Sequence, residues 1–218
     1  MKKLILLIIL ICAALFVGVR ILFAPQGKIF ERAMIQETKI AFLGDMFMDR
    51  SIRLKSELYG YDYMFECIGP YLREFDFVIA NMESPVTNNK SVSVGTEPGT
   101  PNNYRFTTDQ RALSAISRAG INILGIDNNH MYDFGRKGVE ETGKHISESG
   151  IKYFGDPINL ESSMLRVESG SNSFHLVSFN EFFGSEQATL NEIELAKKTG
   201  EPVFVFAHWG NEYAPVTS

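Results

Sequence analysis

Four largely apolar runs, residues 39–43, 77–80, 121–126 and 203–207, have the length of buried β-strands, and each ends in a short polar motif. The motifs are Gly44-Asp45, Asn81-Met82-Glu83, Asn128-Asn129-His130 and His208-Trp209-Gly210. Helical patterns at 64–75, 109–119, 135–149 and 192–198 separate the runs. Strand-length runs alternating with helices define an α/β fold, because the helices carry the chain back over the sheet. Ligands of open α/β sheets bind beyond the carboxyl ends of the strands. The pattern therefore predicts that an Asp, a Glu and several Asn and His residues, far apart in sequence, meet at one edge of one sheet.

The remaining elements follow from local signals. The 64–75 helix is expected to kink at Gly69-Pro70, since proline cannot donate to the preceding turn. The 109–119 helix carries Leu113, Ile116 and Ala119 at helical spacing and is entered through Thr107-Thr108. Residues 84–103, with three prolines and two glycines, read as a long polar loop. Residues 152–154 make a short strand, and 174–179 alternate as a strand with one solvated face. One domain is expected to begin at residue 38. Only ten residues follow His208, which predicts a domain incomplete at its carboxyl end.

The first 24 residues differ in kind. Lys2-Lys3 precede an uninterrupted apolar run, 4–19, followed by Arg20 and the apolar 21–24. Snorkelling of Arg20 brings the segment to the roughly 20 residues a membrane span needs. A cleaved signal peptide is the competing reading, but a cut after Ala24 would place bulky Leu22 where a small residue is required. All-round apolarity argues against a buried core helix. The segment reads as a single-pass anchor in the cell membrane, with Lys2-Lys3 cytoplasmic, residues 25–37 as a tether and the domain extracytoplasmic. A net charge of −5 lacks the basic face that nucleic-acid binding needs, so no nucleic-acid partner is expected. Of the two cysteines, Cys12 lies in the anchor, and Cys67 reads as a small buried apolar residue.

Each polar motif has a bland reading beside a chemical one. Gly44-Asp45 is a common turn, or a carboxylate aimed across the sheet edge. Asn81 and Glu83, at period two, share one face, while Met82 faces inward. They either cap the loop at Ser84-Pro85 or supply ligands. Asn128-Asn129-His130 is a turn with a satisfied histidine, or a carboxamide and an imidazole that ligate a metal or donate a proton. His208 leaves an apolar strand and needs a partner, whether backbone or metal. His145 and His175 lack such neighbours and read as structural or surface residues, and Met46 and Met48 as packing residues. Together the four motifs suit a hard or borderline metal ion. A two-metal site, with ions roughly 3.5–4 Å apart, needs one bridging carboxylate, Asp45 or Glu83, with neutral His and Asn ligands.

The motifs also carry a resemblance. Gly44-Asp45 with Arg50, Asn81-Met82-Glu83-Ser84-Pro85-Val86-Thr87, Asn128-Asn129-His130-Met131-Tyr132-Asp133-Phe134-Gly135 and His208-Trp209-Gly210-Asn211-Glu212-Tyr213 resemble the capsule synthesis protein CapA (PgsA) family. That family is linked to poly-γ-glutamate production and is similar to the calcineurin-like metallophosphoesterases. The resemblance implies a four-layer αββα sandwich, divalent metal ions (Mn, Fe or Zn), Asp45, Glu83, Asn129 and His208 as ligands, and His130 as the acid assisting the leaving group. It also implies an anionic polymer, poly-γ-glutamate, and membrane synthase subunits as partners. Arg50, facing the cleft, is expected to hold an anionic substrate by bidentate contact. Two departures stand out: Phe47 occupies the position where phosphoesterases usually carry a histidine, and their late Gly-His-x-His ligands would fall beyond residue 218. The expected function is a metallophosphoesterase-type activity in capsule synthesis or export. The alternative is a non-catalytic component, with a degenerate metal site, that binds polymer or synthase.

Overall fold

The computed structural model describes residues 37–155, 157 and 163–210. The expected anchor at 1–24 lies outside the described residues, as does all but the last residue of the tether. Among the described residues, no helix is long and apolar enough to cross a membrane.

Four parallel strands build the first sheet: β1 (Ile40–Met46), β2 (Phe77–Met82), β5 (Ile123–Gly125) and β6 (Lys152–Phe154), side by side in that order. Two short strands, β3 (Val86–Thr87) and β4 (Thr108–Asp109), pair separately. The last expected strand does not join the first sheet. β9 (Val203–His208) lies parallel to β8 (Asn172–Asn180), which pairs antiparallel with β7 (Leu165–Ser169), and these three form a second sheet. The expectation of one edge of one sheet is therefore corrected. Periodicity reports burial, and says nothing about which sheet a buried strand joins.

The two sheets face each other. Ile79, Ile123 and Phe154 of the first pack against Val167, Phe174 and Leu176 of the second, with Phe204 and Phe206 at the margin. Edge-to-face rings fill the layer, Phe77 on Phe174 at 5.5 Å and Phe154 on Phe206 at 5.8 Å. Each such pair adds about 0.5–1.5 kcal/mol beyond its buried area. The other face of β2, at Val78, Ala80 and Met82, packs with Leu113 and Ile116 of α3 (Arg111–Ala119) and with Val139 and Ile146 of α4 (Gly135–Glu148). α5 (Glu186–Lys197) lies against β8 and β9. Because β8 is covered on both sides, its residues 174–178 are all buried, and the solvated face expected there is absent.

Three local expectations are also corrected. The 64–75 helix is broken into a 3₁₀ turn (Tyr61–Phe65) and the single turn α2 (Gly69–Leu72). Pro70 cannot donate to a preceding turn, and it sits where the missing N–H costs nothing, at the start of a new helix. Cys67 lies in the turn between them and is exposed, not buried. Thr107 and Thr108 do not cap α3. Their hydroxyls meet Thr87 and Ser84 at 2.7 and 2.8 Å, while Asp109 Oδ1 accepts from Arg111 N–H at 2.9 Å. One helix went unforeseen: α1 (Arg50–Tyr59), started by Asp49, whose carboxylate accepts from Arg50 N–H at 2.8 Å and Thr107 N–H at 2.7 Å. His145 and His175 are both buried, and His175 Nε2 lies 2.9 Å from Glu201.

Candidate metal centre

Alternation along each strand decides which side chains reach the cleft. In β2, Phe77 and Ile79 face the second sheet, so Asn81, and Glu83 just past the strand, face it too. In β9, Phe204 and Phe206 face the first sheet, and His208 continues that face. β1 would break the pattern, because Phe42 faces inward and Asp45 stands at odd spacing from it. A bulge between them corrects the parity: Phe42 pairs with Ile79 and Asp45 with Asn81, three residues against two. Asp45 thus shares the inward face with Asn81.

The result is a cluster drawn from both sheets. One ligating atom each from Asp45, Glu83 and His208 lie within 4.8 Å of one another. His208 Nδ1 is 3.8 Å from Asp45 Oδ1, and Nε2 is 3.7 Å from Glu83 Oε1. Asn129 Oδ1 lies 3.0 Å from His208 Nε2. The four residues expected as ligands therefore converge. Glu83 and His208 are mostly enclosed, and Asp45 has 59% of its side chain exposed, on the open side of the cleft.

A fifth residue occupies the middle. Asn81 Nδ2 donates to Asp45 Oδ1 at 2.8 Å and to Glu83 Oε2 at 2.5 Å, and stands 3.4 Å from His208 Nδ1. Its orientation is set from behind. Asn128 Nδ2 donates to Asn81 Oδ1 at 3.0 Å and to Met82 O at 2.7 Å, and Asn128 Oδ1 accepts from His130 N–H at 3.1 Å. Two carboxylates, an imidazole and a carboxamide oxygen gathered around the positive end of an amide dipole form a donor set that fits a divalent cation. The period-two spacing of Asn81 and Glu83 announced their shared face, but not that Asn81 would hold the carboxylates together.

His130 stands beside this cluster, tied to it through Asn128. The residue is buried, its ring lies 4.3 Å from that of Phe106, and its Nδ1 is 3.0 Å from Asp133 Oδ2. Asp133 Oδ2 also accepts from Phe106 N–H at 2.7 Å. A carboxylate on Nδ1 favours the tautomer with the proton on that nitrogen, so any proton exchange by this ring would run through Nε2. In the sequence, Asp133 stands out only as part of the Asn128–Gly135 motif. Arg50 is held elsewhere: its Nε and Nη2 both donate to Asn103 O, and its guanidinium covers Phe106 at 4.5 Å. Phe106 thus touches both Arg50 and His130. Arg50 also has a positive φ of 52°, which is strained for a residue with a side chain. Phe47 meets Phe106 edge-on at 4.8 Å.

Fold and site together define a two-sheet α/β domain with a candidate divalent-metal centre at the carboxyl ends of the facing strands. The chain belongs to the bacterial capsule synthesis protein PGA_cap family, whose model matches residues 39–217. It is 28% identical over 201 residues to the capsule biosynthesis protein CapA of Bacillus anthracis, covering 82% of this chain and 48% of that protein. It is 23% identical over 191 residues to the PGA biosynthesis protein CapA of Bacillus subtilis (strain 168), covering 79% and 49%. The chain thus spans about half the length of these curated relatives. Among solved structures, the NAD nucleotidase NadN of Haemophilus influenzae aligns with a TM-score of 0.48 and 11% identity, over 80% of this chain and 34% of that one.

Proposed function

We propose that this chain is a membrane-anchored, extracytoplasmic component of poly-γ-glutamate capsule synthesis or export that cleaves or transfers a phospho-ester or acyl-type bond at a metal centre. The observation that carries the reading is the convergence of Asp45, Glu83 and His208 from two sheets, with Asn129 on His208. These four would hold the metal. A divalent ion there supplies Lewis acidity to a phosphoryl or acyl oxygen. His130, oriented by Asp133, delivers the proton to the leaving group. Arg50, whose guanidinium lies on the ring that touches His130 and whose Nε and Nη2 are committed to Asn103 O, presents Nη1 to an anionic portion of the substrate. The CapA relatives and the family description support the capsule assignment, and the apolar 4–19 run supports the anchor.

Metal analysis of the purified full chain tests the core of the proposal. Near-stoichiometric Mn, Fe or Zn, lost in Asp45→Ala and His208→Ala, is expected. A wild-type chain that takes up no divalent metal would sink it. One observation favours the second reading, a polymer- or synthase-binding component without catalysis: Phe47, at the phosphoesterase histidine position, is committed to packing on Phe106. That reading predicts normal capsule formation in a strain carrying His130→Ala, whereas the enzymatic one predicts its loss.

A further inference from the structure

The ligand set has one mechanical weakness. Asp45, Glu83 and Asn129 come from the first sheet and His208 from the second, so their spacing depends on how the two sheets stand at this end. Between the strands the contact is apolar. Such packing is non-directional and fixes no hydrogen-bond geometry. At the site end a directional contact takes over, through a residue with no assigned role.

Asp127 lies two residues beyond the end of β5 and, by alternation, on the same face as Ile123 and Gly125. Its Oδ2 accepts from Ser178 Oγ at 2.8 Å and its Oδ1 from Asn180 Nδ2 at 3.1 Å. Ser178 and Asn180 are buried and continue the inward face of β8 past Phe174 and Leu176. Asn180 cannot turn its amide around, because its Oδ1 accepts from Phe182 N–H at 2.9 Å. Asn180 is also the register partner of His208 across β8 and β9. On the other side, Asp127 immediately precedes the Asn128-Asn129-His130 segment. Gly155 makes room for this contact: with φ at +79°, it keeps clear a space where a Cβ would lie 2.6 Å from Asp127 Cβ and 3.1 Å from Ser178 Oγ.

We propose that Asp127 is a positioning residue: it latches the segment carrying Asn129 and His130 to β8, and so holds His208 at ligating distance from residues of the other sheet. The proposal rests on the metal-centre reading for its purpose, though not for its geometry. Removing hydrogen-bond partners that orient metal ligands typically costs 10–100-fold in affinity. Asp127→Asn keeps the shape but sets an NH₂ against one of two donors. The exchange Asp127→Asn with Asn180→Asp restores the bonds to Ser178 and to residue 180. The amide introduced at position 127 then donates to the carboxylate introduced at position 180, while its carbonyl accepts from Ser178.

The test measures Mn²⁺ affinity and the Co²⁺ absorption spectrum of the full chain, well below its melting temperature. The same proteins, metal-free, are followed by amide hydrogen exchange across residues 126–133 and 203–210. The expected result is a 10–100-fold weaker Mn²⁺ affinity and an altered Co²⁺ spectrum in Asp127→Asn, recovered in the exchanged pair. Wild-type affinity and spectrum in Asp127→Asn would overturn the latch while leaving the metal centre standing. Should the wild-type chain bind neither metal, the metal-centre reading fails and hydrogen exchange decides the latch. Faster exchange in Asp127→Asn, reversed in the exchanged pair, supports it, and unchanged exchange overturns it.

Discussion

Asn81→Asp puts the electrostatics of the cluster under direct strain. In the native arrangement the Asn81 amide donates to two carboxylates, at 2.8 and 2.5 Å. Hydrogen bonds to charged acceptors contribute about 1.5–3 kcal/mol each, so losing both costs about 3–6 kcal/mol. The substitution also sets a third carboxylate about 3 Å from the other two. At an effective dielectric constant near 20 that repulsion is about 5 kcal/mol per pair. Taking up a proton is cheaper: lifting one carboxyl pKa by about three units costs about 4 kcal/mol at neutral pH. Protonation therefore caps the penalty, and water around the exposed Asp45 screens it further.

With screening at Asp45, the lost donors account for about 3 kcal/mol and the capped repulsion for about 2–4 kcal/mol more, so the expected destabilisation of about 5–7 kcal/mol lowers the melting temperature by roughly 10–30 °C for a domain of this size. Asn81→Ala, which loses the donors without adding charge, falls between the variant and wild type. The assay is thermal unfolding of the full chain in EDTA and again with excess Mn²⁺. A cation among three carboxylates should raise the melting temperature of Asn81→Asp more than that of the wild type. Equal melting of Asn81→Asp and wild type in EDTA would refute the idea that the Asn81 amide holds the cluster together. Equal shifts on adding Mn²⁺ would refute the idea that the cluster is where the cation goes.

Two further expectations address regions away from the centre. The Glu201 carboxyl is held down to about 2, from an ordinary 4.5, chiefly by the Arg166 guanidinium and then by Ser173. A depressed carboxyl pKa stabilises the fold above its unfolded value, and the contribution is lost as pH falls through the folded one. Glu201→Gln should thus be less stable than wild type at pH 6 in urea titrations, with the gap closing between pH 4.5 and 2. A gap independent of pH would contradict this. Cys67, exposed in the turn before α2, should react with a thiol reagent in the native full chain carrying Cys12→Ser, at a rate close to that in denaturant. Strong protection would restore the buried reading drawn from composition.

What the sequence made legible follows from which interactions are local. The buried strands announced themselves because their apolar runs are contiguous, and α4 because Gly135 to Glu148 keeps an apolar spacing through Val139 and Ile146. α1 did not: only Arg53 and Ser56 are buried along it, and neither is apolar. Apart from Ile52, which packs partly buried against the core, it is held by distant partners, Arg53 on Thr107 O and Asp109, and Asp49 on Thr107 N–H. No window of sequence contains those bonds. The break before Pro70 is legible only as a kink, because a proline inside an apolar pattern bends or restarts a helix according to packing.

The site was legible for a different reason. Its residues are the core alternation carried past the point where the facing layers stop being apolar. Ile79 is followed at period two by Asn81 and Glu83, Gly125 by Asp127, Leu176 by Ser178 and Asn180, and Phe206 by His208. A strand whose inward positions switch from apolar to polar at its carboxyl end therefore marks a candidate ligand face, even when its sheet is unknown. Which sheet it joins is fixed by pairing between strands distant in sequence, so the origin of His208 in a second sheet stayed hidden. The exception is β1, where strict alternation from Phe42 would have sent Asp45 to the helix side. The bulge at residues 43–44 rescues it. Parity in a strand is all-or-none, since a shift of one residue exchanges the two faces. The first carboxylate of the candidate centre thus depends on one extra backbone residue as much as on its own chemistry.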